Sequence, residues 1–338
     1  MTGPGHLMAA EVAEIPAVIG RQLRENLDMY LALGREWSAA PPLFFATCAR
    51  GTSDQAALFF KYLTEIGTGI PVASLGPSLA TLFEGGLRMR GATLLAISQS
   101  GASPDLVALT RKAVAGGAAT VALLNTVESP LGAVSDRVLP LSAGRERAVA
   151  ATKSFVASLV AVAAIHAGQT DNRLLLEDLM DLPNAISAML ACPGLDLRPL
   201  ARSRRLFCLG RGLGLAIAGE AALKLKETCL LAAEATSTAE FRHGPLALAD
   251  KDTAALVFLL EDATRLGNEA LIQTLTERGV HVTIINPGAT TGQANLRHPV
   301  SQAIAAVTVF YKEACRLAID LGLDPDAPPN LVKATLTR

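Results

Sequence analysis

Apolar residues along this chain fall into two rhythms: short unbroken runs closed by a small polar residue, and longer stretches with apolar positions every three or four residues. Val12, Ile15, Val18, Ile19 and Leu23 keep the second rhythm, so residues 8 to about 37 predict one or two helices, with a break at Pro16. Residues 43–47 predict a buried strand, and the turn Ala49-Arg50-Gly51-Thr52-Ser53 leads into a helix over 54–65. A short strand over 71–75 and a helical stretch over 78–87 follow. Thr93-Leu94-Leu95-Ala96-Ile97 is the next apolar run, and Gly116-Gly117 stops the helix after it. Residues 120–124 predict a further strand, closed by Asn125. Strands apolar on both faces, alternating with helices, imply α/β architecture: a parallel sheet with helices on both faces.

The pattern then repeats. Arg50-Gly51 recurs as Arg211-Gly212, and Asn125 recurs as Asn286 after the apolar run 282–285; both pairs are 161 positions apart. The run 256–259 matches 94–97 at nearly the same offset. Two copies of one α/β unit are expected, with a joint at 182–199, where Pro183, Pro193-Gly194 and Pro199 cluster. The limits read as an N-terminal helical segment 1–37, a first domain 38–182, a second domain 196–322 and a tail 323–338.

Composition narrows the class of function. The chain has 338 residues, half of them hydrophobic, and a formal net charge of −1 with both signs dispersed, which gives no nucleic-acid footprint. Its five cysteines are scattered without a C-x-x-C pair, so neither a disulfide framework nor a zinc site is expected, and a reducing cytoplasm fits. No signal-peptide pattern opens the chain, and the longest apolar run, 155–165, falls short of the roughly 18 residues of a membrane span.

Candidate chemistry lies at the strand ends. After the run 93–97 come Ser98, Gln99, Ser100 and Gly101, with Ser103 at a helix N-cap position, Pro104 at the first helical position and Asp105 in the first turn. A strand feeding a hydroxyl-rich loop and then a helix N-terminus suits a phosphate, although a Ser-capped turn alone has the same outline. Ser53 is placed to help at the neighbouring strand end, or it caps its own helix. In the second copy Leu260-Glu261-Asp262 occupies the matching place and would repel phosphate, so only the first copy should carry such a cradle. Gly210, Gly212 and Gly214 fail the dinucleotide pattern, because Ile217 and Leu215 stand where glycine is needed. In the second copy a helix is expected over 216–234, with Glu220, Lys224 and Glu227 on one stripe; a solvated ion-pair ladder is the plainer reading of that spacing. His243, between Arg242 and Gly244-Pro245, suits acid or base work near neutral pH or stands idle in solvent. The proline-rich tail from Asp324 reads as extended and frayed.

Together these residues resemble, over nearly the full length, the double sugar-isomerase (SIS) family, and in particular the isomerase half of glucosamine-6-phosphate synthases. The matching motifs are Gly51-Thr52-Ser53, Ser98-Gln99-Ser100-Gly101, residues 146–153, 222–227 and 240–248, and Asn330-Leu331-Val332-Lys333. The resemblance implies two tandem flavodoxin-like SIS domains. It implies that Ser53, Ser98, Gln99, Ser100 and Ser103 hold a sugar phosphate, with Gly51, Thr52, Glu146 and Val149 lining the pocket. Glu227 would move a proton between C1 and C2, His243 would open the sugar ring from the neighbouring subunit of a homodimer, and Lys224 and Lys333 would serve the site, the tail closing over it. No metal or cofactor, no nucleic acid and no membrane is implied. The synthases carry a glutaminase domain, whereas Met1-Thr2-Gly3 leads almost directly into the sugar module here, so no ammonia is expected to be made from glutamine by this chain. Ala102 and Ala151 replace usual polar residues, and Ser103-Pro104-Asp105 is similar to stand-alone SIS-type glucosamine-6-phosphate deaminases. An amino-sugar 6-phosphate deaminase is therefore expected. The alternatives are a fructosamine-6-phosphate deglycase, an isomerising aminotransferase fed by a separate glutaminase, and a non-catalytic sugar-phosphate sensor.

Overall fold

The computed structural model describes residues 3–287 and 296–333. Within them the chain forms two compact units, each assembled from separate stretches. One holds 18–146 and 154–176; the other holds 1–17, 147–153 and 177–333. Residues 334–338, the end of the expected tail, lie outside the described residues, as do Met1 and Thr2.

The first unit is built on a parallel sheet of β1 (Phe44–Cys48), β2 (Val72–Ser74), β3 (Ala92–Ser98), β4 (Ala119–Leu124) and β5 (Arg137–Pro140), in the order β2-β1-β3-β4-β5. All seven residues of β3 are buried, as an unbroken apolar run at the centre of a two-sided sheet requires. Its helices are α2 (Ile15–Ala39), α3 (Thr52–Thr68), α4 (Ser78–Thr81), α5 (Pro104–Ala115) and α6 (Lys153–Thr170). Trp37, Phe45 and Phe60 pack edge to face, with ring centroids 4.7 Å apart for Trp37–Phe45 and 5.3 Å for Phe45–Phe60, tying α2 and α3 to β1. The apolar run 155–165 is a wholly buried stretch of α6. Among the described residues no helix is long and apolar enough to cross a membrane.

The second unit repeats the plan with β6 (Arg205–Gly210), β7 (Ala233–Ser237), β8 (Thr253–Phe258) and β9 (His281–Ile285), ordered β7-β6-β8-β9. Its helices include α1 (His6–Ala13), α7 (Arg173–Ala191, whose first turn belongs to the first unit), α8 (Arg198–Arg202), α9 (Leu213–Cys229), α10 (Thr238–Phe241), α11 (Arg265–Glu277) and α12 (Pro299–Asp320). The repeat expected from two residue pairs extends to whole elements: β1 and β6 begin 161 residues apart, at 44 and 205, and α3 and α9 at 52 and 213.

Several elements differ from expectation. The helical stretch over 78–87 shrinks to α4, a single turn that ends at Thr81. The helix expected over 216–234 ends at Cys229, where Leu230 turns into the left-handed region (φ 55°), and the chain then forms β7. Pro183 sits inside α7 instead of in a linker. β5, only four residues long, gave no sequence signal. The segment at 324–326 is anchored, not frayed: Asp324 accepts from the Gly5 amide at 3.0 Å, and Asp326 accepts from Leu7 and Met8 at 2.9 and 2.7 Å, capping α1. The N-terminal segment 1–37 is likewise no separate body, since α1 and most of α2 join different units.

Candidate active site

In each unit the strand order reverses direction between the first and third strands, β1/β3 in one and β6/β8 in the other. In open α/β sheets that crevice, beyond the carboxyl ends of the strands, is where ligands bind.

In the first unit the β1/β3 crevice is lined by the hydroxyl-rich loops. Gly51 takes φ 54° at the start of α3, and Thr52 and Ser53 form that helix's half-buried first turn. Ser98, at the end of β3, is buried and its hydroxyl accepts from the Gly101 amide at 3.0 Å, so it shapes the loop from within. Gly101 itself has φ 63°, and a Cβ there would collide with Ser129, so the turn requires glycine. Gln99, Ser100 and Ser103 remain half-buried, with side chains at the surface of the loop. Ser103 precedes Pro104 as expected, but its side chain makes no capping bond, leaving the hydroxyl available. One contributor was missed at sequence level: Arg50 donates to the buried Asp105 carboxylate at 2.8 and 2.7 Å. That pairing neutralises the acid in the first turn of α5, which would otherwise oppose an anion at the same helix start. The buried Glu146 carboxylate accepts from the Ser154 amide at 3.1 Å and hydroxyl at 2.7 Å, holding the start of α6.

In the second unit the β6/β8 crevice carries acid. Asp262 accepts from the Thr264 amide at 2.8 Å, and Glu261 pairs with Arg265. The α9 stripe is not a solvated ladder. Lys224 is fully buried, 3.5 Å from Glu220 and in direct contact with Glu227. Burial works against the Lys224 charge, yet the Glu220 and Glu227 carboxylates outweigh it and hold its pKa above the ordinary lysine value. Glu220 is also fully buried and accepts from the Tyr311 hydroxyl of α12 at 2.7 Å. Glu227 alone of the three reaches solvent, with 22% of its side chain exposed. A buried cation flanked by a buried and a partly open carboxylate can supply a base at the surface and a positive charge beside it.

His243 lies on the exposed turn after α10, its amide bonded to the Glu240 carbonyl at 2.9 Å. Among the described residues its ring makes no hydrogen bond or ion pair. Half-buried Val149 donates its amide to the Asp326 carbonyl at 3.2 Å. Glu11 of α1 accepts from the Arg147 and Ala148 amides of the same loop, a contact no sequence pattern announced. Lys333 ends the described chain, half-buried.

Comparison with known proteins agrees with this architecture. The model of the SIS domain matches residues 45–167 and 199–304. The isomerizing glutamine–fructose-6-phosphate aminotransferase of Bradyrhizobium diazoefficiens is 32% identical over 97% of this chain, and the matched region is 58% of that protein's length. The chain thus spans little more than half of the curated relatives it matches. A candidate phosphosugar isomerase from Silicibacter pomeroyi superposes with a TM-score of 0.87 at 36% identity, covering 94% of this chain and 99% of that one. A glucosamine-6-phosphate deaminase from Thermotoga maritima shares the fold, with a TM-score of 0.79 at 20% identity over 98% and 99% of the two chains. With the hydroxyl-loop crevice repeated as an acidic one, and with two regions matched in tandem, this chain belongs to the SIS domain family.

Proposed function

We propose that the protein is a phosphosugar isomerase of the SIS type that releases ammonia from an amino-sugar 6-phosphate. The observation that carries this reading is Lys224, buried between Glu220 and Glu227, with Glu227 open to solvent. Isomerisation between an aldose and a ketose needs a base beside a cation, because removing the C2 proton develops negative charge on the C1 oxygen. In this reading Ser53, Ser98, Gln99, Ser100 and Ser103 hold the phosphate, with Gly51, Thr52 and Val149 beside the sugar and Glu146 positioning the loop before α6. His243 assists opening of the ring to the aldehyde. Glu227 takes the proton from C2 and returns it to C1, while Lys224 offsets the charge on the oxygen and Lys333 covers the substrate. The C2 imine left behind adds water and expels ammonia, giving fructose 6-phosphate. The aminotransferase relative, named for fructose 6-phosphate, supports the substrate class.

Incubation with glucosamine 6-phosphate should release ammonia and fructose 6-phosphate in equal amounts. Glu227→Gln should lower that rate by about 10²–10⁴-fold, the usual worth of general acid–base catalysis, with an unchanged circular dichroism spectrum. Bound substrate without either product would overturn the deaminase and favour the deglycase. Near-normal turnover by Glu227→Gln would sink the mechanism. The reading also includes a homodimer in the cytoplasm, each subunit lending His243 to the other. Exposure of the His243 turn supports that arrangement. Sedimentation should give a dimer, and an active monomer would count against it.

A further inference from the structure

A second polar cleft lies in the first unit, away from the hydroxyl loops. It sits where α2 ends at Ala39, just before β1 begins at Phe44, and so at the amino edge of a parallel sheet whose carboxyl edge carries Ser98. Its volume is about 520 Å³, between the last turns of α2, the end of α6 and the first turn of α7. Two glycines create it. A Cβ at Gly34 would collide with the Ile165 carbonyl oxygen, and one at Gly168 with the Leu31 carbonyl oxygen, so α2 and α6 meet backbone to backbone. Beyond that contact the helices end and the space opens.

The lining is chemically specific. Arg35 and Arg173 both face it, and among the described residues neither guanidinium has a hydrogen bond or an ion pair. The neighbouring carboxylate on α2, Glu36, is already taken by Arg137 at 2.7 Å. Asp171 also lines the cleft, from a left-handed turn (φ 48°), without pairing to either arginine. Gln169 is only 7% exposed, lines the cleft, and its amide has no hydrogen-bond partner among the described residues. Its polar atoms reach the solvent of the cleft, where a polar occupant can hydrogen-bond them.

We propose that this cleft binds a small hydroxyl-bearing organic phosphate, at a site separate from the hydroxyl loops. Two guanidinium forks on one cavity, unpaired among the described residues, suit phosphate oxygens, which they bind in bidentate fashion. Asp171 disfavours a second anionic group and accepts from hydroxyls, while Gln169 and Ser38 offer further hydrogen bonds to the group that carries the phosphate. The proposal does not depend on the deaminase reading.

Equilibrium dialysis against inorganic phosphate tests it. The wild type should take up two phosphates per chain, one in the hydroxyl loops and one here. Arg35→Ala/Arg173→Ala should take up one, the lost site weakened on the order of tenfold or more, as removal of charged hydrogen bonds implies. Both arginines are exposed and, among the described residues, make no ion pair or hydrogen bond through their guanidinium groups, so the variant keeps the fold. Ser53→Ala/Ser100→Ala should remove the other phosphate and leave the arginine site intact. An arginine variant with the wild-type isotherm would overturn the proposal, as would a single wild-type phosphate that vanishes in the serine variant. Two phosphates retained by the serine variant would instead count against the hydroxyl-loop assignment. With glucose 6-phosphate as probe in the serine variant, Asp171→Ala should weaken binding, while inorganic phosphate binds as well or better. Equal binding of the sugar phosphate before and after that change would overturn the hydroxyl contact.

Discussion

Lys224 is fully buried, and the Glu220 and Glu227 carboxylates beside it sustain its charge. Removing one partner of a buried charged group leaves the others uncompensated, which typically costs about 3–5 kcal/mol. Lys224→Met should therefore lower the stability of the protein by that order, read from urea unfolding midpoints and slopes. A change below about 0.5 kcal/mol, the size of a surface substitution, would mean the lysine is hydrated after all. Spacing placed Glu220, Lys224 and Glu227 on one stripe. Only the packing of α9 against α12, with Tyr311 on Glu220, turned that stripe inward. In the hydroxyl loop the reverse holds: Gly101, Ser98 and the Ser103-Pro104 start of α5 were legible one by one, because strand end, turn and cap are local events. The Arg50–Asp105 pair was not, since its members are 55 residues apart.

At the scale of elements, α9 ends without the glycine that commonly closes a helix. Leu230 takes the left-handed conformation in its place, 53% exposed, and the Leu231 amide closes on the Leu225 carbonyl at 3.1 Å. An L-residue pays roughly 1–2 kcal/mol for that conformation, partly offset in glycine by greater freedom of the unfolded chain. Leu230→Gly should raise the thermal midpoint, with a gain of about 0.5–1 kcal/mol. A lowered midpoint would show that the exposed leucine contributes more by contact than its conformation costs. The same feature explains the missed β7: apolar residues continue through 229–233, so periodicity extends the helix past its true end. Pro183 misled in the opposite sense, as a helix held by packing tolerates a proline that a sequence reads as a stop.

At the scale of the whole molecule, the thiols report how completely the two units are packed. Burial pushes the Cys48 and Cys208 thiols up to about 12, Cys229 up to about 11 and Cys315 up to about 12, while Cys192 is half-buried. With Ellman's reagent at pH 8 Cys192 should react first, and the other four of the five cysteines only on unfolding. Rapid reaction of all five in the native protein would contradict this packing. The raised values also set a pH trend. Above the ordinary thiol value of 9.0 the unfolded chain loses protons that the native chain keeps. Stability should therefore fall as pH rises from about 9 towards 12, seen as a declining urea midpoint. A flat profile across that window would refute it.

The sequence by itself determined the duplicated α/β plan, because strand hydrophobicity, turn chemistry and the 161-residue offset are all written locally and then repeated. It also determined that one copy carries hydroxyls and the other acid at the same strand end. Tertiary structure alone decided that α1 joins the second unit through Asp324 and Asp326, more than 300 residues away. It alone decided which charges are buried, and that Arg35, Gln169 and Arg173 share a cleft. Those outcomes depend on contacts between distant segments, whose free energies no local spacing encodes.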